Sequence, residues 1–528
     1  MIQVNFYGAD GSCLSRRETI SLYASDFDYV PYMRHLSVDT DATANLEVPE
    51  APVILHAKLQ IPGYGRDMWA TADNCGAGYG CDAHIDFVYE AARSRVALIR
   101  RILDKGEYIP SVKCDSMLRD AETLLSMFEN SPKRHEYAMM ALSAALWSGE
   151  LAAVERAQAR IAKSSRRDIL WGCGLCYLYP YDGTISLPWQ PGLYCSGISN
   201  DAPQYPGLAP MRECFDSVFN YGTIDICLNN VEKVYGKPDY SLADRNCDEM
   251  LAHGLELRSS HLWWNHSYGV PDWMRGVKWE DGSLERELRR SVTRTVKRYR
   301  GKLKHHVAIN ECHDWCNMFN MTQKQQIELT KLCCDVTHEA DPEVDAIVNT
   351  CFMFGEYAAD GRTQWGPTWE RNLTPYDIFV GLEEMGANYD TIGIQLYNPA
   401  RDMLALDMML ERFARFGKNI ELTELGVPSV SVPLRPDTTP GDIYCLDYMY
   451  YGIWHGEEWN ERLQADWLEQ FYTIAYSHPE VGAIDWQDAA DPSYVPNSSL
   501  FTSKFEPKES YFRLKALQKS WGFDLGKK

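Results

Sequence analysis

From residue 168 to the C-terminus, short apolar runs that read as strands alternate with longer stretches of helical period, and this alternation limits the possible folds more than any other feature of the chain. Strand candidates fall at 169–176, 223–228, 256–264, 305–310, 345–350, 391–397, 419–424 and 481–486. The helical stretches between them carry their own start and stop signals. Ser241 opens one that Gly254 closes, Thr322 and Gln325 form a capping box, and Thr374-Pro375 opens one that Gly386 closes. Eight strand–helix units within about 360 residues predict a (β/α)8 barrel with long loops rather than an open doubly wound sheet. No glycine-rich dinucleotide fingerprint or phosphate loop follows any of the strands.

The N-terminal part reads differently. Residues 1–80 are β-rich and punctuated by Gly, Asp and Pro, and residues 81–167 have helical period, with Val88, Ala91, Ala92, Val96, Ile99 and Ile102 on one stripe. The fold class expected is therefore α/β: a TIM barrel over 168–528, preceded by a small β-rich accessory domain (1–80) and a helical connector (81–167). The accessory domain reads either as a glycan-binding β-sandwich or as a cover for the bottom of the barrel.

Two strand candidates end on a glutamate, Glu311 in Ile309-Asn-Glu-Cys312 and Glu424 in Leu422-Thr-Glu-Leu425. In a parallel barrel both would stand at the C-terminal mouth, where barrel enzymes carry their chemistry. Retaining glycosidases need one carboxylic acid to protonate the leaving oxygen and one carboxylate to attack the anomeric carbon, about 5 Å apart. Glutamates at the ends of the fourth and seventh strands can face each other across a bound sugar. Asn310, just before Glu311, offers an amide to the sugar 2-hydroxyl. Other polar or aromatic residues at strand ends are Trp264, Asn265, Asn349, Gln395, Tyr397 and Trp486.

The formal charge of −22 and pI near 5.1 oppose nucleic acid or an anionic membrane as partner. No run reads as long and apolar enough to span a bilayer, and Met1-Ile-Gln-Val-Asn-Phe-Tyr has no signal-peptide pattern. As written the chain is expected to be cytoplasmic, or secreted if a leader has been removed. Oligomeric state is left open. Cys173-Gly-Leu-Cys176 lacks a second pair at metal spacing, so buried thiols are the expected reading; no cofactor or metal is expected. His313-Asp314, beside Glu311, could modulate its ionisation. The aromatic and acidic segment 454–459 could form a substrate subsite on a loop.

At this point the order of motifs resembles a family. Phe219-Asn-Tyr-Gly-Thr, Tyr240-Ser-Leu-Ala-Asp-Arg, Gly254-Leu-Glu-Leu-Arg, His261-Leu-Trp-Trp-Asn-His, Pro271-Asp-Trp, Arg298-Tyr-Arg-Gly-Lys, Ile309-Asn-Glu, Ile394-Gln-Leu-Tyr, Leu422-Thr-Glu-Leu and Asp485-Trp486 follow the pattern of family 10 glycoside hydrolases. These are clan A retaining β-glycanases, mostly endo-β-1,4-xylanases. The resemblance implies that Glu311 is the general acid/base, Glu424 the nucleophile and Asn310 the 2-hydroxyl contact, with Trp264, Gln395 and Trp486 lining the site. The chain departs from the pattern at the glycone side. It reads Asp225-Ile-Cys-Leu-Asn229 where xylanases carry an acidic-Asn-acidic-Met-Lys run, so Asn229 is a candidate contact in place of the usual grip. Ser260 and Asn265 stand for two histidines of the site, and Tyr397 for the histidine that normally contacts the nucleophile.

The function expected is a xylanase-like retaining glycoside hydrolase acting on a plant-type or related polysaccharide or oligosaccharide. The alternatives are an exo-β-glycosidase of the same clan on a non-xylan glycan, and a carbohydrate-binding barrel that has lost turnover. Two mutually repelling carboxylates weigh against the binding-only reading.

Overall fold

The computed structural model describes residues 1–39, 43–174, 185–187, 190–194, 208–313, 317–363, 366–367, 371–397, 400–432, 454–491, 493 and 495–526. Eight parallel strands close a barrel in chain order: Leu170–Cys173, Tyr221–Ile224, Glu256–Ser259, His305–Asn310, Asp345–Thr350, Thr391–Tyr397, Asn419–Gly426 and Val481–Trp486, the last pairing with the first. Parallel strands covered by helices are buried on both faces, so they read as continuous apolar runs. The helices begin where their caps place them. Thr322 with Gln325 caps Gln323–Ala340, Thr374 with Asp377 caps Pro375–Glu384, and the Asp402 and Asn460 carboxyl and amide oxygens cap Met403–Ala414 and Glu461–Ser477.

Four strands differ from the sequence reading: the first is Leu170–Cys173 and the seventh runs on to Gly426. The second lies at Tyr221–Ile224, and the third stops at Ser259 although the apolar pattern runs on to Trp264. Beyond Ser259 the side chains are used in a loop: the Ser260 hydroxyl accepts from the Ile226 N–H at 3.2 Å and donates to Asp225 at 3.3 Å, which ties this loop to the one after the second strand.

Both strands that end on a glutamate carry one extra residue. Val307 and Ile309 pair with the consecutive residues Ile347 and Val348, and Leu422 and Glu424 pair with Ile394 and Gln395. A bulge of this kind bends its strand and re-aims the side chains that follow.

In the N-terminal part, Ile2–Asn5, His35–Val38, Thr43–Glu47 and His84–Asp86 make one sheet, and Tyr23–Ser25, Ile54–Ile61 and Gly65–Ala72 make another. Helices Phe87–Leu103, Val112–Ser126 and Arg134–Lys163 follow. The largest hydrophobic cluster among the described residues runs from Ile2 through these helices into the barrel. Buried ion pairs stitch the two parts together: Arg95 to Asp402 at 2.7 Å, and Arg156 to Asp407, whose other oxygen meets the His478 imidazole at 2.7 Å.

The Arg134–Lys163 helix corrects the expectation that no run is long and apolar enough to cross a membrane, since by length and composition it is. Its apolar face, with Ala141, Leu142, Ala145 and Leu146, is packed inside the protein, and it carries buried Glu150 and Arg156.

Candidate active site

Glu311 and Glu424 meet one continuous set of amides at the barrel mouth. Asn349, at the end of the fifth strand, donates through Nδ2 to Asn310 Oδ1 at 2.7 Å and to Glu424 Oε1 at 3.2 Å. Gln395, on the sixth strand, donates to Glu311 Oε1 at 3.2 Å and reaches Asn310 Oδ1 at 3.5 Å. The two carboxylates are thus held by a relay of three amide side chains from the fourth, fifth and sixth strands. The fit is tight: a Cβ at Gly393 would come within 2.7 Å of Asn349 Oδ1, so only glycine leaves the Asn349 amide room.

Glu311 has a second donor, the Trp264 indole N–H at 3.1 Å from Oε2. The Trp264 ring is stacked on His266 with centroids 4.5 Å apart, and His266 on Tyr268 at 4.8 Å. The Glu311 backbone has φ +46°, a left-handed conformation costing a non-glycine residue about 1–3 kcal/mol. Its N–H donates to the Asn349 carbonyl at 2.8 Å, which pins that conformation against the fifth strand.

Glu424 is held by the Tyr397 hydroxyl, which donates to Oε2, and by Asn349 on Oε1. Burial raises its pKa above the ordinary 4.5, while Tyr397, the Arg258 guanidinium and Asn349 pull it back down. Tyr397 therefore occupies the contact that the family pattern gives to a histidine.

Other candidates sit elsewhere. Trp486 is a correction: it was expected to line the site and is fully buried on the outer face of the eighth strand. Its indole N–H donates to the Ser498 carbonyl at 2.8 Å, and its ring packs against Trp467 and Tyr472. Strand alternation explains it, because Asp485 faces inward and its neighbour must face the helices. Asn265 is a second correction, a loop anchor whose Oδ1 accepts from the Trp263 indole at 2.8 Å and whose carbonyl accepts from the Met318 N–H. Asn229 lies half-buried on the short helix Leu228–Val231, its backbone N–H on the Gly269 carbonyl. Trp454 and Trp459 do not form an exposed subsite. Both are buried and stacked on each other, and His455 is held by Glu150 of the long N-terminal helix.

His313 is buried, with Nε2 3.4 Å from the Cys351 thiol, and burial lowers its pKa to about 3. Cys173 is buried, while Cys176 and Asp314 lie outside the described residues. Among the described residues, His305, Asp345 and Glu421 have metal-ligand spacing. Both His305 nitrogens are already engaged, by Asp345 at 2.8 Å and Glu256 at 2.9 Å. Burial alone would lower its pKa, but those two bonds outweigh it and raise it to about 9, so a protonated imidazole supplies the cation there.

The sequence reading missed the layer beneath the carboxylates. Arg258, Glu421 and Asp485 form a buried cluster inside the barrel, with Thr223 and Thr423 around it. Their signal was available as charged residues at inward positions of otherwise apolar strands.

Residues 211–517, more than half of the chain, match the sequence model of Glycosyl hydrolase family 10. The chain belongs to this family. The relatives it resembles include endo-1,4-beta-xylanase 1 of Arabidopsis thaliana, 24% identical over 344 residues, covering 62% of this chain and 32% of that protein. Endo-1,4-beta-xylanase B of Thermotoga neapolitana is 24% identical over 284 residues, covering 51% of this chain and 70% of the relative. The match thus spans about a third of the length of the Arabidopsis protein. Among solved structures, xylanase 10B of Thermotoga petrophila RKU-1 in complex with xylobiose aligns at 20% identity and a TM-score of 0.47, covering 67% of this chain and 94% of that one.

Proposed function

We propose that this family 10 protein is a retaining glycoside hydrolase that cleaves β-glycosidic bonds of a xylan-like polysaccharide or oligosaccharide. The observation that carries the reading is the amide relay holding Glu311 and Glu424, from the fourth and seventh strands, at one mouth. Protonated Glu311 delivers its proton to the leaving oxygen while Glu424 attacks the anomeric carbon and forms a covalent glycosyl-enzyme. Glu311, now a base, takes a proton from water, which attacks the same carbon and releases the sugar with its configuration retained.

The glycone wall is rewritten. The Asp225 oxygens accept from the Cys227 N–H at 3.1 Å, the Ser260 hydroxyl at 3.3 Å and Asn230 Nδ2 at 2.5 Å, so this carboxylate is turned to its own loop. The preferred glycan therefore differs at the non-reducing side from plain xylan. The test is hydrolysis of aryl β-xylosides, β-glucosides and xylo-, gluco- and arabinoxylo-oligosaccharides, with the first product followed by proton NMR. The expected first product is the β-anomer. An α-anomer appearing first, or no cleavage with binding retained, would remove the mechanism.

Tyr397→Phe tests the substituted contact. The hydroxyl favours ionised Glu424, so its loss raises that pKa further and moves the acid limb of kcat/KM to higher pH by about half a unit to one unit, with kcat down about tenfold. A profile superimposable on wild type would show that the hydroxyl carries none of this.

A further inference from the structure

We infer that Arg258 and Thr423 are positioning residues that aim Glu424: Arg258, buried beneath the carboxylate, holds the extra residue of the seventh-strand bulge, and the bulge turns Glu424 into the barrel mouth. This rests on reading Glu424 as the nucleophile.

The register shows what the bulge does. Against the sixth strand Thr423 is the inserted residue, since Leu422 and Glu424 face Ile394 and Gln395, and against the eighth the pairs Leu422–Ile484 and Leu425–Trp486 leave Thr423 and Glu424 together opposite Asp485. In a regular strand, successive side chains leave on opposite faces, so an inward Thr423 would send Glu424 out toward the helices. Instead both reach the same inward amide. Thr423 Oγ1 donates to Asn349 Oδ1 at 2.5 Å, and Glu424 Oε1 accepts from Asn349 Nδ2 at 3.2 Å.

Arg258 reaches the Thr423 carbonyl within the bulge. Nη2 donates to this carbonyl at 3.3 Å, to Thr223 Oγ1 at 2.8 Å and to Asp485 Oδ2 at 3.1 Å, and Nη1 donates to Glu421. One planar fork therefore bridges the second, seventh and eighth strands from its place on the third. A lysine ammonium cannot present donors in that plane. The same guanidinium is the cation among the groups that set the ionisation of Glu424. The groups bearing on that carboxylate are Tyr397 from the sixth strand, Asn349 from the fifth, Arg258 from the third, Asp485 from the eighth, Glu421 on its own strand, Cys351 just beyond the fifth, and Glu311 through the shared amide relay.

The test uses a 2-deoxy-2-fluoro glycoside with a dinitrophenyl leaving group, built on whichever sugar the wild type cleaves, which traps the nucleophile as a stable ester. Wild type is expected to be labelled on Glu424, as read by peptide mass spectrometry. Arg258→Met should slow labelling by about 100-fold with inhibitor affinity changed less than about threefold, and shift the acid limb of the labelling rate to higher pH. Arg258→Lys, which keeps charge without the fork, should restore the acid limb but remain about tenfold slow. Thr423→Val, nearly isosteric, should cost about tenfold, and Thr423→Ser should recover it. Labelling of folded Arg258→Met within about threefold of wild type, or an unmoved acid limb, overturns the proposal. If Arg258→Met does not fold, the Thr423 pair decides: equal rates for Val and Ser overturn the clamp. Absence of label on Glu424 in wild type overturns the parent reading instead, and the clamp with it.

Discussion

Glu424→Ala is expected to lower kcat by at least about 10^4-fold on every cleaved substrate, with the melting temperature little changed. In the proposed roles the nucleophile has no substitute in this site, because the Glu311 carboxylate is engaged by its own donors, Trp264 and Gln395. The neighbours of Glu424 are Tyr397 and Asn349, and neither is a competent nucleophile at neutral pH. Azide should partly rescue the variant by filling the space of the lost carboxylate and giving a glycosyl azide of inverted, α configuration. Glu311→Ala should behave differently. Aryl substrates with good leaving groups need no proton, so the glycosyl-enzyme still forms, and azide then attacks it to give a β-glycosyl azide. The configuration of the azide product assigns each role independently of rate. The same anomer from both variants, or wild-type turnover by Glu424→Ala, would remove the assignment. Removing the Glu424 carboxylate also removes the desolvation that burial imposes on its charge, which is why stability is expected to hold.

The barrel was legible because its strands are buried on both faces. The fourth, fifth, sixth and eighth runs begin and end in the structure where the apolar pattern does. The third was read too long because Leu262 and Trp263 continue the apolar pattern while serving a loop that packs them into the core. Glu311, Glu424, Gln395 and Tyr397 could be found from strand ends alone, since a polar group there has only the mouth to face. Trp486 could not, because an end position does not say which face a side chain takes; counting alternation from the inward Asp485 would have turned it outward. The bulges escaped for a related reason. A strand with an inserted residue still reads as an apolar run, and the insertion exists only relative to its neighbours' register. Arg258 and Asp485 have meaning only once third and eighth strands are known to face each other across the barrel interior. Trp454 and Trp459 looked like sugar platforms because aromatic residues suit stacking and packing equally, and only the long N-terminal helix, with Glu150 holding His455, shows which applies.

Asp485→Asn is expected to change the pH dependence of stability by a few kcal/mol, the larger effect in the layer beneath the site. Burial pushes the Asp485 carboxyl up to about 8, Arg258 pulls it down, and the Glu421 and Glu424 charges push it further up. Its Oδ1 has no hydrogen-bond partner among the described residues, which suits an oxygen that carries a proton. The native state thus keeps a proton that the unfolded chain gives up near the ordinary 3.8. Unfolding releases it, so this group's contribution to stability is fully present below about pH 4 and is lost as pH rises through about 8, at a slope of at most about 1.4 kcal/mol per pH unit. An asparagine has no proton to lose. Its oxygen can turn to Arg258 and its NH2 can occupy the place of the unpartnered oxygen, so the variant fits without a clash of donors. Thermal or urea unfolding from pH 5 to 8 should therefore show wild type losing stability relative to Asp485→Asn as pH rises; parallel curves would mean that Asp485 is already ionised in the native protein. The protonated form also matters for chemistry. With Asp485 neutral, Arg258 faces the charges of Glu421 and Glu424, and the protonated His305 imidazole lies on the other side of Glu421. The Arg258 charge favours the ionised form of half-buried Glu424 against the desolvation that raises its pKa, and that is the form the proposed nucleophile needs.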